Sequence, residues 1–221
     1  MSTTILLQPG KFYHIYNRGN NGENIFIAER NYSYFLNLYL KHVEPVAETF
    51  AYCLLRNHFH LCVRIRDETP GRFSDDDQQR LAASKTVSMT LPADVMKTCQ
   101  VYTASQAFSN LFNAYTKSIN KAYGRTGSLF KKPFQRREIA SPQYLLRVIH
   151  YIHWNPQKHS FVDDFRDWPY SSYQALLSDK PTTLQREQVL AWFNGRLEFD
   201  AVHQVLTDEK QIQDIIEGDE V

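Results

Sequence analysis

The chain has few cysteines and no long apolar run. Its 221 residues include three cysteines, and no pair of them has the spacing of a metal-binding motif. This composition predicts reduced thiols in a cytosolic protein, with Cys53 and Cys62 as small apolar residues of strands. No apolar run reaches the length of a membrane span, and the first residues lack the pattern of a secretory signal. We therefore expect a cytoplasmic protein with no membrane partner.

The net charge of +1 hides a strong segregation of charge along the chain. From Lys117 to Arg147 there are eight lysines and arginines and one acid, whereas from Glu198 to Val221 there are eight acids and one lysine. A basic centre with an acidic tail fits a surface that binds a polyanion. Two solvated faces of opposite sign explain the same charges equally well.

Hydrophobic periodicity predicts an α+β fold. Strands are predicted at residues 11–18, 47–54 and 58–65, an extended segment at 128–139, and helices at 29–43, 101–123 and from Ser141 to near Asn155. The last of these helices should end there because Pro156 disfavours helical geometry in the residue before it. The order of elements predicts an antiparallel sheet with helices on one face.

Two stretches lie outside this pattern. Residues 67–100 are polar and are predicted to form an inserted loop. Helical spacing at 183–193 and 201–216 predicts a small C-terminal addition. We therefore expect a main domain at 1–178 and an acidic helical extension at 179–221.

His58 and His60 flank Phe59 within an apolar segment. In a strand, the two histidines point to one face and Phe59 points to the other, into the core. Two adjacent imidazoles supply two metal ligands, and a divalent metal needs at least one more from the protein. Taken alone, the pair is better explained as polar residues on an exposed sheet face.

The helix that begins at Ser141 offers residues that complete such a site. Tyr151 and Asn155 are four residues apart and share a helix face. An amide oxygen is a suitable hard ligand for magnesium or manganese. A phenol beside a metal is a candidate nucleophile, although its ordinary pKa near 10 requires activation by a metal or a base. The chain has 13 tyrosines, so Tyr144 and Tyr115 remain alternatives.

Five segments match, in order, the motifs of one known family. They are YHIYNRGN at 13–20, AYCLLRNHFHL at 51–61, NKAYGRTGSLF at 120–130, RVIHYIHWNP at 147–156 and WPYSSY at 168–173. The chain resembles the HUH single-tyrosine transposases of the insertion-sequence and REP-associated kind. The similarity extends from about Tyr13 to Tyr173 and omits the predicted insertion.

The resemblance implies a ferredoxin-like or RRM-like sheet with a metal site on a central strand. His58 and His60 would be ligands of magnesium or manganese, and Asn155 would be the third ligand, where insertion-sequence relatives tend to carry glutamine. Tyr151 would attack a DNA phosphodiester and hold a 5′-phosphotyrosine link. The implied reaction is cleavage and rejoining of single-stranded DNA without a nucleotide cofactor.

The family often recognises a DNA hairpin near the cleavage site, and the resemblance assigns this role to the basic stretch. Backbone charge and aromatic stacking would bind such DNA. The predicted DNA-binding residues are Arg18, Lys117, Lys121, Arg125, Lys131, Lys132, Arg136 and Arg137. For Arg18, a role in stabilising its loop explains the residue as well as a DNA contact does.

Two alternative functions and two oligomeric states stay open. The alternatives are a non-catalytic module that binds nucleic-acid hairpins and a hydrolytic metallonuclease in which water attacks. Insertion-sequence relatives form dimers that share the tyrosine helix between chains, whereas REP-associated relatives can act as monomers. The C-terminal extension departs from the insertion-sequence type, so the chain is either a monomer or a homodimer.

Overall fold

The computed structural model describes residues 5–67 and 103–205, which contain four strands, six α-helices and two short 3-10 helices. The strands are β1 (Phe12–Arg18), β2 (Ala47–Leu54), β3 (His58–Ile65) and β4 (Gln135–Ile139). The helices are α1 (Glu29–His42), α2 (Ala104–Tyr123), α3 (Pro142–Lys158), α4 (Tyr173–Leu177), α5 (Arg186–Trp192) and α6 (Arg196–Val205). Residues 68–100 of the predicted insertion lie outside the described residues.

The four strands form one antiparallel sheet in the order β2-β3-β1-β4. With α1 between β1 and β2 and α2 between β3 and β4, this is the ferredoxin-like β-α-β-β-α-β arrangement. The predicted α+β class and antiparallel sheet are confirmed. The two central strands, β1 and β3, both carry the aromatic and histidine residues that the sequence singled out.

The two faces of the sheet are covered by different helices. The ring of Phe59 in β3 lies 5.4 Å from Phe35 of α1 and 5.5 Å from Phe112 of α2. The next residue, His60, points to the opposite face, where its ring lies 5.6 Å from Tyr151 of α3. Helices α1 and α2 therefore share one face, as predicted. Helix α3 covers the other face, so the prediction that the helices lie on one face does not hold for α3.

Local capping explains where α2 and α3 begin. The hydroxyl of Thr103 accepts a hydrogen bond from the backbone of Gln106, and α2 ends at Gly124, whose φ of 62° is left-handed. The Ser141 hydroxyl accepts from the backbone N–H of Tyr144 at 3.2 Å, and Pro142 occupies the first turn. Both starts agree with the predicted boundaries to within a few residues.

The predicted end of α3 near Asn155 is wrong, because the helix continues through Pro156 to Lys158. Proline removes one helical hydrogen bond and costs about 3 kcal/mol in a helix interior. All residues from Val148 to Pro156 are buried in the core, and this packing outweighs the local cost. Hydrogen bonding resumes directly, since the His159 N–H donates to the Asn155 carbonyl at 3.0 Å.

The described part of the C-terminal extension packs into the same core as the sheet. Trp192 of α5 stacks on Phe50 of β2 with ring centroids 5.0 Å apart, and Phe199 of α6 is fully buried. Helix α6 begins at Arg196 rather than at residue 201 as predicted, and its predicted end at 216 lies outside the described residues. The domain boundary at 178 stays a prediction.

Within the two described ranges, no helix combines the length and apolar character needed to cross a membrane. Cys53 and Cys62 are buried in β2 and β3 as free thiols, as their sequence context predicted. Cys99 lies outside the described residues.

Candidate active site

Strand β3 aims His58 and His60 at the face of the sheet that α3 covers. Their ring centroids are 5.2 Å apart, and Phe59 between them is fully buried on the opposite face. The Nδ1 of His58 lies 2.7 Å from the side-chain oxygen of Asn57, the residue just before the strand. The alternation predicted from the sequence therefore places both imidazoles side by side.

Strand β1 adds two further rings to this face. Tyr16 is the register partner of His60, and their ring centroids are 5.8 Å apart. The Nε2 of His14 lies 3.0 Å from the Nδ1 of His60, and His14 is only 1% exposed. His14 is thus buried behind His60, in direct contact with a predicted metal ligand.

Helix α3 brings Tyr151 and Asn155 to the histidines. The Tyr151 ring meets His60 and His14 edge-on, with centroid distances of 5.6 and 6.1 Å. The Asn155 side-chain nitrogen donates to the Tyr151 carbonyl at 2.9 Å, which fixes the orientation of the amide. One chain therefore brings together the four residues predicted for the metal site and the nucleophile.

The last turn of α3, beyond Pro156, adds two groups that the sequence analysis missed. The Lys158 ammonium lies 5.3 Å from the centroid of the Tyr151 ring, and the His159 ring lies 4.8 Å from that of His58. The signal was the spacing: Lys158 is seven residues after Tyr151 and three after Asn155, on the same helix face. Because the predicted helix ends near Asn155, Lys158 was not assigned to this helix face.

Burial keeps the histidines of the site neutral. Desolvation is the main cause that lowers the pKa of His58 to about 3 and that of His14 to about 3. The pKa of His60 is also well below its ordinary value, first through burial and then through His14. Neutral imidazoles can ligate a metal, whereas protonated ones cannot.

The Asn155 side chain lies close to His58 and raises the pKa of His58, against the larger lowering by burial. The two side chains are nevertheless not placed for a regular hydrogen bond. The Nε2 of His58 and the side-chain oxygen of Asn155 are both buried without a hydrogen-bond partner among the described residues. Buried polar atoms are normally satisfied. Two such atoms side by side fit a bound metal.

The two histidines supply two of the predicted metal ligands, and the Asn155 amide is the predicted third. Among residues 5–67 and 103–205, no three His, Cys, Asp or Glu side chains come together as a group that could hold a metal. Asn155 stays the predicted third protein ligand, and its side-chain oxygen is buried beside His58. Two imidazoles and an amide oxygen form a mixed nitrogen and oxygen set, which a hard to intermediate divalent cation can use.

A cleft of about 180 Å³ opens beside this cluster. Among residues 5–67 and 103–205, its lining includes the cations Arg18, Lys131 and Lys158 and no carboxylate. The lining residues are Tyr16, Asn17, Arg18, Asn57, His58, His60, Lys131, Gln135, Tyr151, Lys158 and His159. A cleft of this composition attracts an anion such as a phosphodiester.

The Tyr151 side chain borders the cleft but is fully buried. Its hydroxyl therefore reaches a substrate only if the ring or its neighbours move when the substrate enters. The adjacent Lys158 is half-buried on the outer turn of α3, where the chain leaves the helix.

The other predicted DNA-binding residues divide between the two faces of the sheet. Arg137 faces α3 and donates to the Tyr144 hydroxyl at 3.2 Å. Arg136 faces the other way, donates to the Ser105 hydroxyl at 2.7 Å and covers the Phe134 ring at 3.9 Å. Arg136 and Lys132 line a second cleft of about 620 Å³ between α2 and the segment before β4.

The remaining three basic residues lie away from the histidines. Lys117 and Lys121 are exposed on α2, on the face of the sheet opposite His58 and His60. Arg125 forms an ion pair with Glu23 and a 2.8 Å hydrogen bond to Asn120. Their DNA contacts stay predictions.

Known proteins resemble this chain in sequence and in fold. No protein-family model matches the chain. A Haemophilus influenzae protein named as a REP-associated tyrosine transposase is 28% identical over 127 residues, which are 57% of this chain and 58% of that protein. A solved structure of a REP-associated tyrosine transposase bound to a REP hairpin has a TM-score of 0.53 and 13% identity. The chain is thus similar to REP-associated tyrosine transposases in sequence and in fold.

The family resemblance inferred from the motifs is thereby confirmed. The structural match covers 82% of this chain and 88% of the REP-associated transposase chain, and at its low identity it shows the fold. The sequence match spans less than two thirds of the Haemophilus protein.

Proposed function

We propose that the chain is a metal-dependent transposase that cleaves and rejoins single-stranded DNA through Tyr151. The supporting observation is the placement of the Tyr151 ring 5.6 Å from His60, at a cleft that is lined by Arg18, Lys131 and Lys158. A tyrosine, a histidine pair and a basic cleft together provide a nucleophile, a metal site and a phosphate site. The relationship to REP-associated tyrosine transposases supports the same reading.

The proposed reaction exchanges one phosphodiester for another. The Tyr151 hydroxyl loses its proton and its oxygen attacks the phosphorus, the bond from phosphorus to the 3′ oxygen breaks, and the 3′ oxygen takes up a proton and leaves as a free 3′-hydroxyl. The product is a 5′-phosphotyrosine, and attack by a 3′-hydroxyl reverses the step to rejoin DNA. Arg18, Lys131 and Lys158 would hold the phosphate in line with the phenol and offset its charge.

His58, His60 and Asn155 would hold a divalent metal, magnesium or manganese. When bound there, the metal would polarise a phosphate oxygen and stabilise negative charge in the transition state.

The proposed partner is single-stranded DNA that carries a hairpin. The related structure contains a REP hairpin, and the second cleft, with Lys132 and Arg136, offers a surface for DNA beyond the scissile phosphate. The two clefts share Asn17 and Lys131 in their linings, so a strand could pass from one to the other.

The four predicted site residues come from one chain, so we propose that a monomer holds a complete site. Tyr151 then serves the histidines of its own chain. Dimerisation is compatible with this arrangement but is not needed to build the site.

A denaturing gel tests the proposed chemistry. The protein is incubated with Mn²⁺ and end-labelled single-stranded hairpin oligonucleotides of varied sequence, and wild type should give a labelled band at the mass of protein plus DNA. Tyr151→Phe should abolish the band. Tyr144→Phe is the matched control, because Tyr144 lies on the same helix but contacts Arg137 instead of the histidines.

The alternatives give different bands. Cut DNA without a covalent product would support the hydrolytic metallonuclease. Hairpin binding without cleavage, unchanged by EDTA, would support the non-catalytic module. An adduct that persists in Tyr151→Phe would refute the assignment of the nucleophile.

A further inference from the structure

Both predicted histidine ligands have their Nδ1 atoms engaged by a neighbouring side chain. His58 Nδ1 lies 2.7 Å from the Asn57 side-chain oxygen, and His60 Nδ1 lies 3.0 Å from the Nε2 of His14. Neither contact belongs to the reacting groups. A neutral imidazole carries one N–H and one lone pair, so what Nδ1 does decides what Nε2 can do.

The contact with Asn57 has one direction. An amide oxygen only accepts hydrogen bonds, so His58 Nδ1 must be the donor and its Nε2 carries the lone pair. That Nε2 is the atom that is buried beside Asn155 without a hydrogen-bond partner among the described residues. The position of the Asn57 oxygen therefore favours the His58 tautomer that can bind a metal.

The contact between His14 and His60 allows two directions. If His14 donates, the proton of His60 sits on Nε2 and this ring cannot ligate through that atom. If His60 donates from Nδ1 to the lone pair of His14, the Nε2 of His60 is a ligand atom. Because His14 is 1% exposed and its ring stacks at 5.2 Å on His60, no water replaces it as the partner on that side.

We infer that His14 and Asn57 are positioning residues, which fix His60 and His58 as Nδ1–H tautomers with both Nε2 atoms available to one metal. This inference rests on the proposed metal site. Such outer partners of ligating histidines orient the ring and raise its basicity, and their loss typically lowers metal affinity by about 10–100-fold.

The tautomers can be measured without metal. Long-range ¹H–¹⁵N spectra of the metal-free protein, with ¹⁵N-labelled histidine, distinguish Nδ1–H from Nε2–H rings, and His→Gln variants assign the eight histidines. We expect Nδ1–H for both His58 and His60 in wild type. An Nε2–H tautomer at either ring overturns the inference for its partner.

Paired substitutions separate positioning from packing. In His14→Gln the side-chain oxygen can occupy the place of Nε2 and accept from His60, whereas His14→Leu fills the space without an acceptor. We expect His14→Gln to bind Mn²⁺ within about threefold of wild type and His14→Leu about 10–100-fold more weakly by calorimetry. Asn57→Asp and Asn57→Ala form the corresponding pair for His58.

The result also separates this inference from the proposed function. If wild type binds no Mn²⁺ but both rings are Nδ1–H, the metal part of the proposed function fails and the tautomer assignment stands. If wild type binds Mn²⁺ and both His14 variants bind it equally, the positioning role of His14 is overturned. Should His14→Leu fail to fold, the wild-type spectra and His14→Gln still decide.

Discussion

Replacing Asn155 by leucine should stabilise the metal-free protein while removing its proposed function. Asn155 is fully buried, and its side-chain oxygen has no hydrogen-bond partner among the described residues. Leaving a buried acceptor unsatisfied costs about 1–3 kcal/mol. Leucine has a side chain of the same branching with the same number of heavy atoms, and it carries no acceptor that could be left unsatisfied.

The expected change in stability follows from three contributions. Removing the unsatisfied oxygen contributes about 1–3 kcal/mol in favour of the variant, and losing the 2.9 Å bond from the amide nitrogen to the Tyr151 carbonyl costs about 1 kcal/mol. The better helix propensity of leucine adds a few tenths of a kcal/mol. We expect a net change between about zero and 2 kcal/mol towards greater stability, or up to about 8 °C in Tm.

Denaturant unfolding of Asn155→Leu and wild type in EDTA measures this change, and a repeat with Mn²⁺ measures the stabilisation by metal. Wild type should gain stability with Mn²⁺ and the variant should not. A loss of more than about 1 kcal/mol for the variant in EDTA would refute the reasoning, because it would mean that the Asn155 oxygen has a partner in the metal-free protein.

Asn31→Leu is the matched control. Asn31 is also a buried asparagine, but its side-chain oxygen accepts from the backbone N–H groups of Ile27 and Ala28 at 2.9 and 2.8 Å and from the Tyr123 hydroxyl at 3.1 Å. Leucine there leaves these donors unsatisfied, so we expect a loss of at least about 2 kcal/mol. The two substitutions should therefore change stability in opposite directions.

Three further predictions concern assembly, charge and pH. Mixing His58→Ala with Tyr151→Phe should not restore cleavage, because one chain holds both residues, and restored cleavage would show that the tyrosine acts on a partner chain. Lys158→Gln should weaken DNA binding and reduce the slope of log K against log salt by about one. The exposed Lys180→Gln should leave both unchanged, and equal effects would remove Lys158 from the DNA site. Burial lowers the pKa of His58 and of His14 to about 3 from 6.5, so the unfolded chain binds more protons between these values. Stability measured by denaturation in EDTA should thus fall as the pH drops from about 6.5 towards 3, and a flat profile would contradict neutral burial.

Local patterns in the sequence predicted much of the site. The alternation at His58, Phe59 and His60 gave the facing of β3 correctly, because one buried phenylalanine fixes which side the histidines take. The spacing of four residues placed Tyr151 and Asn155 on one helix face, because residues four apart are neighbours on the surface of a helix. These are short-range rules, and the structure follows them.

The contacts that the sequence did not reveal depend on tertiary packing. His14 meets His60 because β1 pairs with β3, and no local pattern specifies that register across the intervening residues. Pro156 predicted the end of α3, but burial of the helix against the sheet overrode this local preference and carried Lys158 to the cleft. The opposite facing of Arg136 and Arg137, by contrast, follows from strand alternation.

Mass spectrometry of the covalent product tests the central claim most directly. Trypsin should release residues 148–158 as one peptide, VIHYIHWNPQK, in which Tyr151 is the sole hydroxyl-bearing side chain. After reaction with a single-stranded hairpin and Mn²⁺, followed by nuclease and trypsin digestion, we expect this peptide to carry a nucleotide through a 5′-phosphate on Tyr151. A nucleotide on a peptide that contains a different tyrosine, or cleaved DNA with no modified peptide, would contradict the account.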